Sequence, residues 1–222
     1  EQDYRQADID KAADRPELVG DIIAHWLKLA EGRKTICFAS SIPHSQHIVE
    51  SFRATGVSAE HLDYHADDDT RADILTRFER GDFTVLSNVA LLSEGFDVPD
   101  TACMILARPT KSLTRFLQMV GRVLRPADGK THALLLDHSG SVERIGHPFD
   151  ELPLALCDGN PNKAGRQERT KPEPKPCPSC KFIKPAGTRK CPKCDFEPER
   201  QNDIEVRDGE LRKLDRKTRK PA

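Results

Sequence analysis

Short apolar segments alternate with amphipathic segments along the first two thirds of this chain. Apolar stretches such as Lys34–Ala39 and Phe83–Ser87 have the length of buried strands. The segments between them repeat apolar residues at helical spacing, and Gly32, Gly56 and Gly81 end three of these segments. Strands that alternate with helices pair in parallel, because a helix makes each return crossing. The alternation therefore predicts an α/β domain, with a parallel sheet sandwiched by helices.

Five strands and four helices are predicted in this domain. The strands are expected at Lys34–Ala39, His61–Tyr64, Phe83–Ser87, Ala102–Ala107 and Ala133–Leu136. The first helix is expected to use Asp14 as its N-cap, because Pro16 and Glu17 follow at favoured positions. The third is expected at Arg71–Arg80. The residues expected to face the core from the four helices are Leu18, Ile22, Ile23, Trp26 and Leu27, then Ile48, Val49 and Phe52, then Ile74, Leu75 and Phe78, and finally Leu113, Phe116, Leu117 and Val120.

The composition bounds the class of protein. The chain has 222 residues, of which 36% are hydrophobic and 32% charged, which suits one ordinary domain with an appendage. Its apolar runs are far shorter than the about 20 residues that cross a bilayer, and no signal peptide is found. Cys37 and Cys103 lie in apolar runs, where thiols are buried and inert, and Cys157 has no evident role. We expect a cytoplasmic protein, and the first residue, Glu1, suggests a fragment or a processed product.

The pattern divides the chain into four predicted parts. Residues 1–157 form the α/β domain, and residues 158–176, rich in Pro, Lys, Arg and Glu, form a linker. Residues 177–197 form a four-cysteine module. Residues 198–222 form a charged tail, which is either a short helix around Glu210–Arg216 or disordered. The C-terminal part is basic and the domain acidic, which suits either a nucleic-acid partner or a solvated tail.

Gly95 and Asp97 follow a predicted strand, at the edge where α/β sheets bind their ligands. A glycine lets the backbone approach a ligand closely, and an aspartate can accept a hydrogen bond from a ribose hydroxyl. An ordinary connection from a strand through a short helix to a turn is the alternative, and it is the favoured explanation when this segment is taken alone.

Gln118, Arg122 and Arg125 recur at helical spacing, so they project from one face of the fourth helix. A guanidinium group offers paired donors to phosphate. In phosphoryl transfer, such an arginine raises the rate by roughly 10³–10⁵. The alternative is an amphipathic helix whose arginines face solvent.

These segments together resemble a known family. Ile36–Ala39, then Gly95-Phe96-Asp97, then Gln118-x-x-Gly121-Arg122-x-x-Arg125 resemble motifs IV, V and VI of superfamily 2 helicases, in the DEAD/DEAH-box and type III restriction helicase group. The resemblance extends from about Leu18 to Ser139. It implies the C-terminal, second RecA-like domain of such a helicase, and hence a RecA-like sheet.

The resemblance also implies roles for single residues. Arg125 would be the arginine finger at the γ-phosphate of ATP, Arg122 a second phosphate or inter-domain contact, and Gln118 a partner of the phosphates or of the facing domain. The implied cofactor-binding residues are Gly95, Asp97 and Gly121, with Asp97 near the ribose. The residues implied to contact the nucleic-acid backbone are Ser40, His65, Ser87 and Asn88, although a structural role suits His65 equally.

The sequence contains no Gly-x-x-x-x-Gly-Lys-[Ser/Thr] phosphate loop and no DEAD or DEAH box. Those groups hold Mg²⁺ and the β- and γ-phosphates in this class of enzyme. We expect ATP and Mg²⁺ to bind a site shared with an N-terminal helicase lobe, upstream of Glu1 or on another chain. The 222 residues alone are then expected not to hydrolyse ATP.

Four cysteines form two Cys-x-x-Cys pairs near the C-terminus, in Cys177-Pro-Ser-Cys180 and Cys191-Pro-Lys-Cys194. Four thiolates at this spacing predict a closed, structural Zn²⁺ site that resembles a zinc ribbon. Two redox dithiols, or unrelated cysteines in a disordered tail, are the alternatives. Neighbouring Lys and Arg residues form a basic surface of the kind that binds DNA or RNA. A role as a protein-docking ribbon or as a structural cap explains the module nearly as well.

Three hypotheses for the function follow. The first is the C-terminal lobe of an ATP-dependent helicase or translocase; the stretches Gly95–Pro99 and Arg108–Ser112 are similar to bacterial or phage DNA helicases, which favours DNA over RNA. The second is a non-catalytic, nucleic-acid-binding or regulatory zinc protein. The third is a motor in a restriction or repair complex in which another subunit cuts the nucleic acid.

Overall fold

The computed structural model describes residues 9, 13–89, 97–150, 175–184, 188, 190–197 and 210–214. Its helices are α1 (Pro16–Leu29), α2 (Ile42–Ala54), α3 (Asp68–Arg80), α4 (Leu113–Val123) and α5 (Ser141–Ile145). Its strands are β1 (Thr35–Phe38), β2 (Ala59–Leu62), β3 (Val85–Asn88), β4 (Cys103–Leu106), β5 (Leu134–Asp137), β6 (Lys175–Pro176) and β7 (Ile183–Lys184). No helix among these residues is long and apolar enough to cross a bilayer.

Strands β1 to β5 form one parallel sheet in the order β2-β3-β1-β4-β5. The central strand β1 pairs on one side with β3, where Ile36 lies opposite Leu86, and on the other with β4, where Ile36 lies opposite Met104. The predicted parallel α/β sheet is confirmed. Because all five strands run the same way, their carboxyl ends meet along one edge.

Two apolar clusters cover the two faces of the sheet. The first contains Trp26 and Phe52, whose rings meet edge-on at 5.2 Å between centroids. The second contains Phe78 and Phe116, which come from α3 and α4. All four aromatic side chains are almost completely buried. Burial of this kind stabilises each side chain by about 1.5–3 kcal/mol. The predicted sandwich of a sheet between helices is thereby confirmed.

Side-chain caps set the starts of three helices. Ser41, Asp67 and Ser112 accept hydrogen bonds from the backbone N–H three residues later in α2, α3 and α4. Helix α3 ends at Gly81, which has a φ of 84°. Only glycine adopts that conformation without strain, so the predicted end of this helix is confirmed.

The first helix differs from its prediction. Arg15, not Asp14, is the N-cap of α1, and no side chain caps this end. The carboxylate of Asp14 instead binds Nδ1 of His47, on α2, at 3.0 Å. A partner from another helix has therefore replaced the local cap. Ile22, Ile23 and Trp26 are buried as predicted; Val19 is buried as well, whereas Leu18 is only half-buried.

Three other predictions differ from the structure. Helix α3, predicted to begin at Arg71, begins at Asp68. The strand predicted at His61–Tyr64 lies at Ala59–Leu62, and Tyr64 lies in a turn. In α4, Leu113 is 36% exposed, whereas Met119 and Val123 are buried. The buried stripe of α4 therefore starts at Phe116 and runs to the end of the helix.

The chain divides into two compact units, one of Glu1–Asp150 with Ile204–Ala222 and one of Glu151–Asp203. In the second unit, β6 pairs antiparallel with β7, so the end of the predicted linker is a strand. Residues 210–214 belong to the first unit and are not helical, against the helix considered there. Leu211 packs on the first apolar cluster. Cys157 lies outside the described residues.

Candidate functional site

Three residues predicted to contact a ligand lie along the carboxyl edge of the sheet and are buried. Ser40 follows β1, and its hydroxyl lies 2.8 Å from Nδ1 of His44. Ser87 and Asn88 end β3, and the Asn88 amide donates to the carbonyl of Cys37 at 2.8 Å. All of these side chains are almost completely buried. The prediction that Ser40, Ser87 and Asn88 contact nucleic acid stays a prediction.

A chain of hydrogen bonds leads from Ser87 to the turn after β2. The hydroxyl of Ser87 lies 2.6 Å from that of Ser45, which lies 2.7 Å from Nδ1 of His61. Nε2 of His61 lies 2.8 Å from the carboxylate of Asp63, and that carboxylate accepts the backbone N–H of His65 at 2.7 Å. We call this chain the Ser87–Asp63 relay. It fixes the turn that carries His65, which is exposed.

Burial changes the titration of two histidines at this edge. It lowers the pKa of His44 to about 4. It also lowers the pKa of His138, which follows β5, to about 4, and the neighbouring His25 acts in the same direction. Both imidazoles are therefore neutral at physiological pH. The two cysteines of the sheet, Cys37 and Cys103, are confirmed as buried, and burial raises the pKa of each thiol to about 12, which disfavours the reactive thiolate.

Helix α4 presents the predicted phosphate-binding side chains. Its buried residues hold the helix on the sheet, while Gln118 and Gly121 are exposed and Arg122 and Arg125 are half-buried. Arg125 lies two residues beyond the last residue of the helix. Arg122 therefore lies on an anchored helix and Arg125 shortly after it, and both side chains are partly exposed.

Arg125 and Asp97 form an ion pair, although they come from different predicted motifs. Lys130 joins the same two segments, because its ammonium group donates to the carbonyl of Pro99 at 2.7 Å and to that of Arg125 at 2.9 Å. The sequence did not reveal Lys130 as part of the site. A lysine shortly after an arginine-rich helix is a common pattern, and only the fold shows which carbonyls it meets. Gly95 lies outside the described residues.

The four cysteines form one cluster in the second unit. The Sγ atoms of Cys177, Cys180, Cys191 and Cys194 all lie within 4.8 Å of one another. The Cys177–Cys194 distance is 3.7 Å and the Cys180–Cys191 distance is 3.6 Å. A tetrahedral Zn²⁺ site with Zn–S bonds of about 2.3 Å holds its sulfurs about 3.8 Å apart. The cluster therefore has the donors and the spacing that zinc requires.

The two cysteine pairs share one local geometry. Cys177 donates its N–H to the carbonyl of Phe182 at 2.8 Å, and Cys191 donates to that of Phe196 at 2.9 Å. The residue after each pair, Lys181 or Asp195, adopts a positive φ of 60° or 56°. Many such turns use glycine at this position, and here other residues accept the strain. A backbone N–H bond also lowers the pKa of Cys177 to about 6, which favours the thiolate.

The five-stranded parallel sheet, with helices on both faces and the predicted ligand-contacting residues at the carboxyl ends of its strands, defines an α/β domain of the RecA-like class. The chain matches the family model "Helicase conserved C-terminal domain" over residues 15–127, about half of its length. The chain belongs to this family, and its first unit is the C-terminal RecA-like domain of a superfamily 2 helicase. The resemblance seen in the sequence is confirmed.

Individual relatives agree with this membership. A 51.5 kDa protein of Lactococcus phage (isolate 7-9) is 32% identical over 221 residues, which are 96% of this chain and 47% of that protein. A mitochondrial protein of Schizosaccharomyces pombe that carries the name ATP-dependent helicase irc3 is 34% identical over 152 residues, 68% of this chain and 25% of its own length. This chain thus spans less than half of these curated relatives.

One solved structure supports the fold alone. The Escherichia coli DEAD-box protein SrmB, solved with the regulator of ribonuclease activity A, is 20% identical. The similarity covers 66% of this chain and 88% of that chain, with a TM-score of 0.52.

Proposed function

We propose that this chain is the C-terminal lobe of an ATP-dependent DNA helicase or translocase. The observation that carries the proposal is the ion pair between Asp97 and Arg125. Lys130 supports this pair, because its ammonium group donates to the carbonyls of Pro99 and Arg125. Two segments that resemble nucleotide-contacting motifs are thereby held together at one surface. An ordinary solvated helix gives no reason for this convergence.

The arginines supply positive charge to a phosphate site completed by another lobe. ATP with Mg²⁺ supplies the phosphoryl group that is transferred to water. Arg125 stabilises negative charge on the γ-phosphate, and Arg122 and Gln118 contact the phosphates or the facing lobe. Asp97 lies beside the ribose, and Gly121 leaves room for the approach of the nucleotide. In the lone lobe, the carboxylate of Asp97 balances the charge of Arg125, so the guanidinium is held in place in the absence of a phosphate.

The complementary lobe supplies what this sequence lacks. A phosphate loop and a DEAD or DEAH box are absent from the 222 residues, and these groups hold Mg²⁺ and the phosphates in this class. The isolated chain is therefore inactive as an ATPase. Closure of the two lobes around ATP, and opening after hydrolysis, moves a strand held across both.

Nucleic acid binds at the carboxyl edge of the sheet, near Ser40, His65, Ser87 and Asn88. DNA is favoured over RNA because the stretches Gly95–Pro99 and Arg108–Ser112 are similar to those of bacterial and phage DNA helicases. The cysteine cluster binds a structural Zn²⁺ ion. Few apolar side chains surround this cluster, so metal binding supplies much of the folding free energy of the second unit.

Replacement of Arg125 by Ala in the complete protein tests the proposal. We expect DNA-stimulated ATP turnover to fall by roughly 10³-fold or more, while nucleotide binding is retained, because the finger acts on the transition state. Arg80→Ala is the matched control, since it removes an exposed arginine from the end of α3. Unchanged turnover in Arg125→Ala would remove the finger assignment. A complete protein without ATPase activity would favour a non-catalytic nucleic-acid-binding protein instead.

A further inference from the structure

We propose that Tyr64 and His65 form a stacking platform for the bases of single-stranded DNA; this rests on the proposed function. Tyr64 is 58% exposed, and His65 beside it is also exposed. Their rings contact each other, with centroids 4.3 Å apart and planes inclined by 43°. Aromatic rings held at a surface bind unstacked bases, because every base has a face that can stack.

The platform is rigidly supported. The backbone N–H of His65 donates to Asp63 at 2.7 Å, and the Ser87–Asp63 relay holds that carboxylate from the other side. The relay ends at Ser87, at the carboxyl end of β3. A turn fixed in this way loses little conformational entropy when a ligand stacks on it, so more of the contact energy appears as affinity.

The charges beside the platform select bases rather than phosphates. Asp67, Asp68 and Asp69 follow it after one residue, Ala66, and all three are exposed. Such a row of carboxylates repels the phosphate backbone. A strand that meets Tyr64 and His65 must therefore turn its bases toward them and its phosphates away. His65 then contacts a base, not the backbone as the family resemblance implies.

The position of the platform suits a continuing strand. Strand β2 lies next to β3 in the sheet, and both end at the same edge. A DNA strand that passes the carboxyl end of β3, near Ser87 and Asn88, next reaches the turn after β2. The platform is then the outermost contact at that end of the sheet, because β2 is the edge strand.

Binding of two oligonucleotides to the complete protein tests the platform. One is oligothymidylate, and the other has the same length and charge but abasic sites. We expect Tyr64→Ala to weaken oligothymidylate binding by roughly 5- to 100-fold, as loss of a stacked aromatic does, and to leave abasic binding unchanged. Tyr64→Phe keeps the ring and should stay within about twofold of the wild type. Phe149→Ala, which removes another exposed aromatic ring, is the matched control.

The dependence of binding on salt gives a second readout. Stacking releases no counterions, so Tyr64→Ala should lower the affinity without changing the slope of log K against log salt. Equal weakening for the abasic strand, or a changed slope, would overturn the platform while the helicase proposal stands. So would unchanged binding of oligothymidylate by Tyr64→Ala. Failure of the wild type to bind either strand would overturn both proposals. Since Tyr64 is exposed, the variants should melt at the wild-type temperature.

Discussion

Acidification should destabilise the first unit through His44. The ring is 1% exposed, and its Nδ1 faces both the backbone N–H of Ser40 at 3.4 Å and the Ser40 hydroxyl at 2.8 Å. Among the described residues, Nε2 has no hydrogen-bond partner. A proton added at Nδ1 would point at the backbone N–H of Ser40, which is itself a donor, and the positive charge of the imidazolium would be buried. Burial accordingly lowers the pKa of His44 from 6.5 to about 4.

The sign and the size of the effect follow from this shift. The unfolded chain binds a proton at His44 below about pH 6.5, whereas the folded chain does so only near pH 4. The contribution of His44 to the free energy of unfolding is therefore fully present above pH 6.5, and it is lost as the pH falls toward 4. The loss is about 2 kcal/mol at pH 5 and about 3 kcal/mol below both pKa values. His138 has the same direction of shift and adds a loss of its own.

Urea unfolding at pH 7.5 and pH 5 measures this loss. Trp26 is the only tryptophan of the chain and is buried in the first unit, so its fluorescence reports that unit alone. His44→Gln keeps an acceptor but cannot titrate. Its stability should fall by about 2 kcal/mol less than that of the wild type between the two pH values. If His44→Gln keeps the full pH dependence, the buried neutral histidine is not its cause.

Two further predictions concern the metal and the site. Cys177→Ser should abolish the binding of a single Zn²⁺ ion, measured by elemental analysis, whereas Ser179→Ala in the same turn should keep the metal. If both variants keep the zinc ion, the four-cysteine site is contradicted. In the complete protein, Lys130→Met should lower ATP turnover by about 10-fold, because it frees the backbone of Arg125, while Lys28→Met on the exposed face of α1 should not. Equal turnover in both lysine variants would show that Lys130 does not position the arginine.

The sequence predicted the layers of the fold better than the ends of its elements. Periodicity identifies a buried strand such as β1, because burial on both faces requires a continuous apolar run. It placed β2 two residues too late in the chain, because Glu60 and His61 of this strand are polar and half-buried. Glu60 stays there because Arg77 pairs with it from α3. The N-cap of α1 was missed for the same reason, since His47 takes the carboxylate of Asp14.

The predicted sites divide in a similar way. Cysteine spacing identified the four-cysteine cluster, because a Cys-x-x-Cys turn brings its own two sulfurs together, so that only the two pairs have to meet. The relay could not be found in the same manner, since Ser45 and Ser87 lie 42 residues apart. No local pattern distinguishes these serines from any others. The two serines form a hydrogen bond only because α2 crosses the carboxyl end of β3 in the folded chain.

The buried polar side chains at the carboxyl edge are not explained by stability. Ser40, Ser45, Ser87 and Asn88 are almost completely buried, and each is hydrogen-bonded within the chain. A satisfied buried hydrogen bond contributes only about 1 kcal/mol, and an apolar pair of the same shape is often as stable. Apart from Thr35 at the start of β1, apolar residues fill the rest of the strands β1 and β3, so the sheet itself does not require polar side chains at this edge. Two of them, Ser45 and Ser87, belong to the Ser87–Asp63 relay, which sets the position of the exposed turn that carries Tyr64 and His65. A polar network that fixes a turn at this edge of the sheet supports the base-stacking role proposed for that turn.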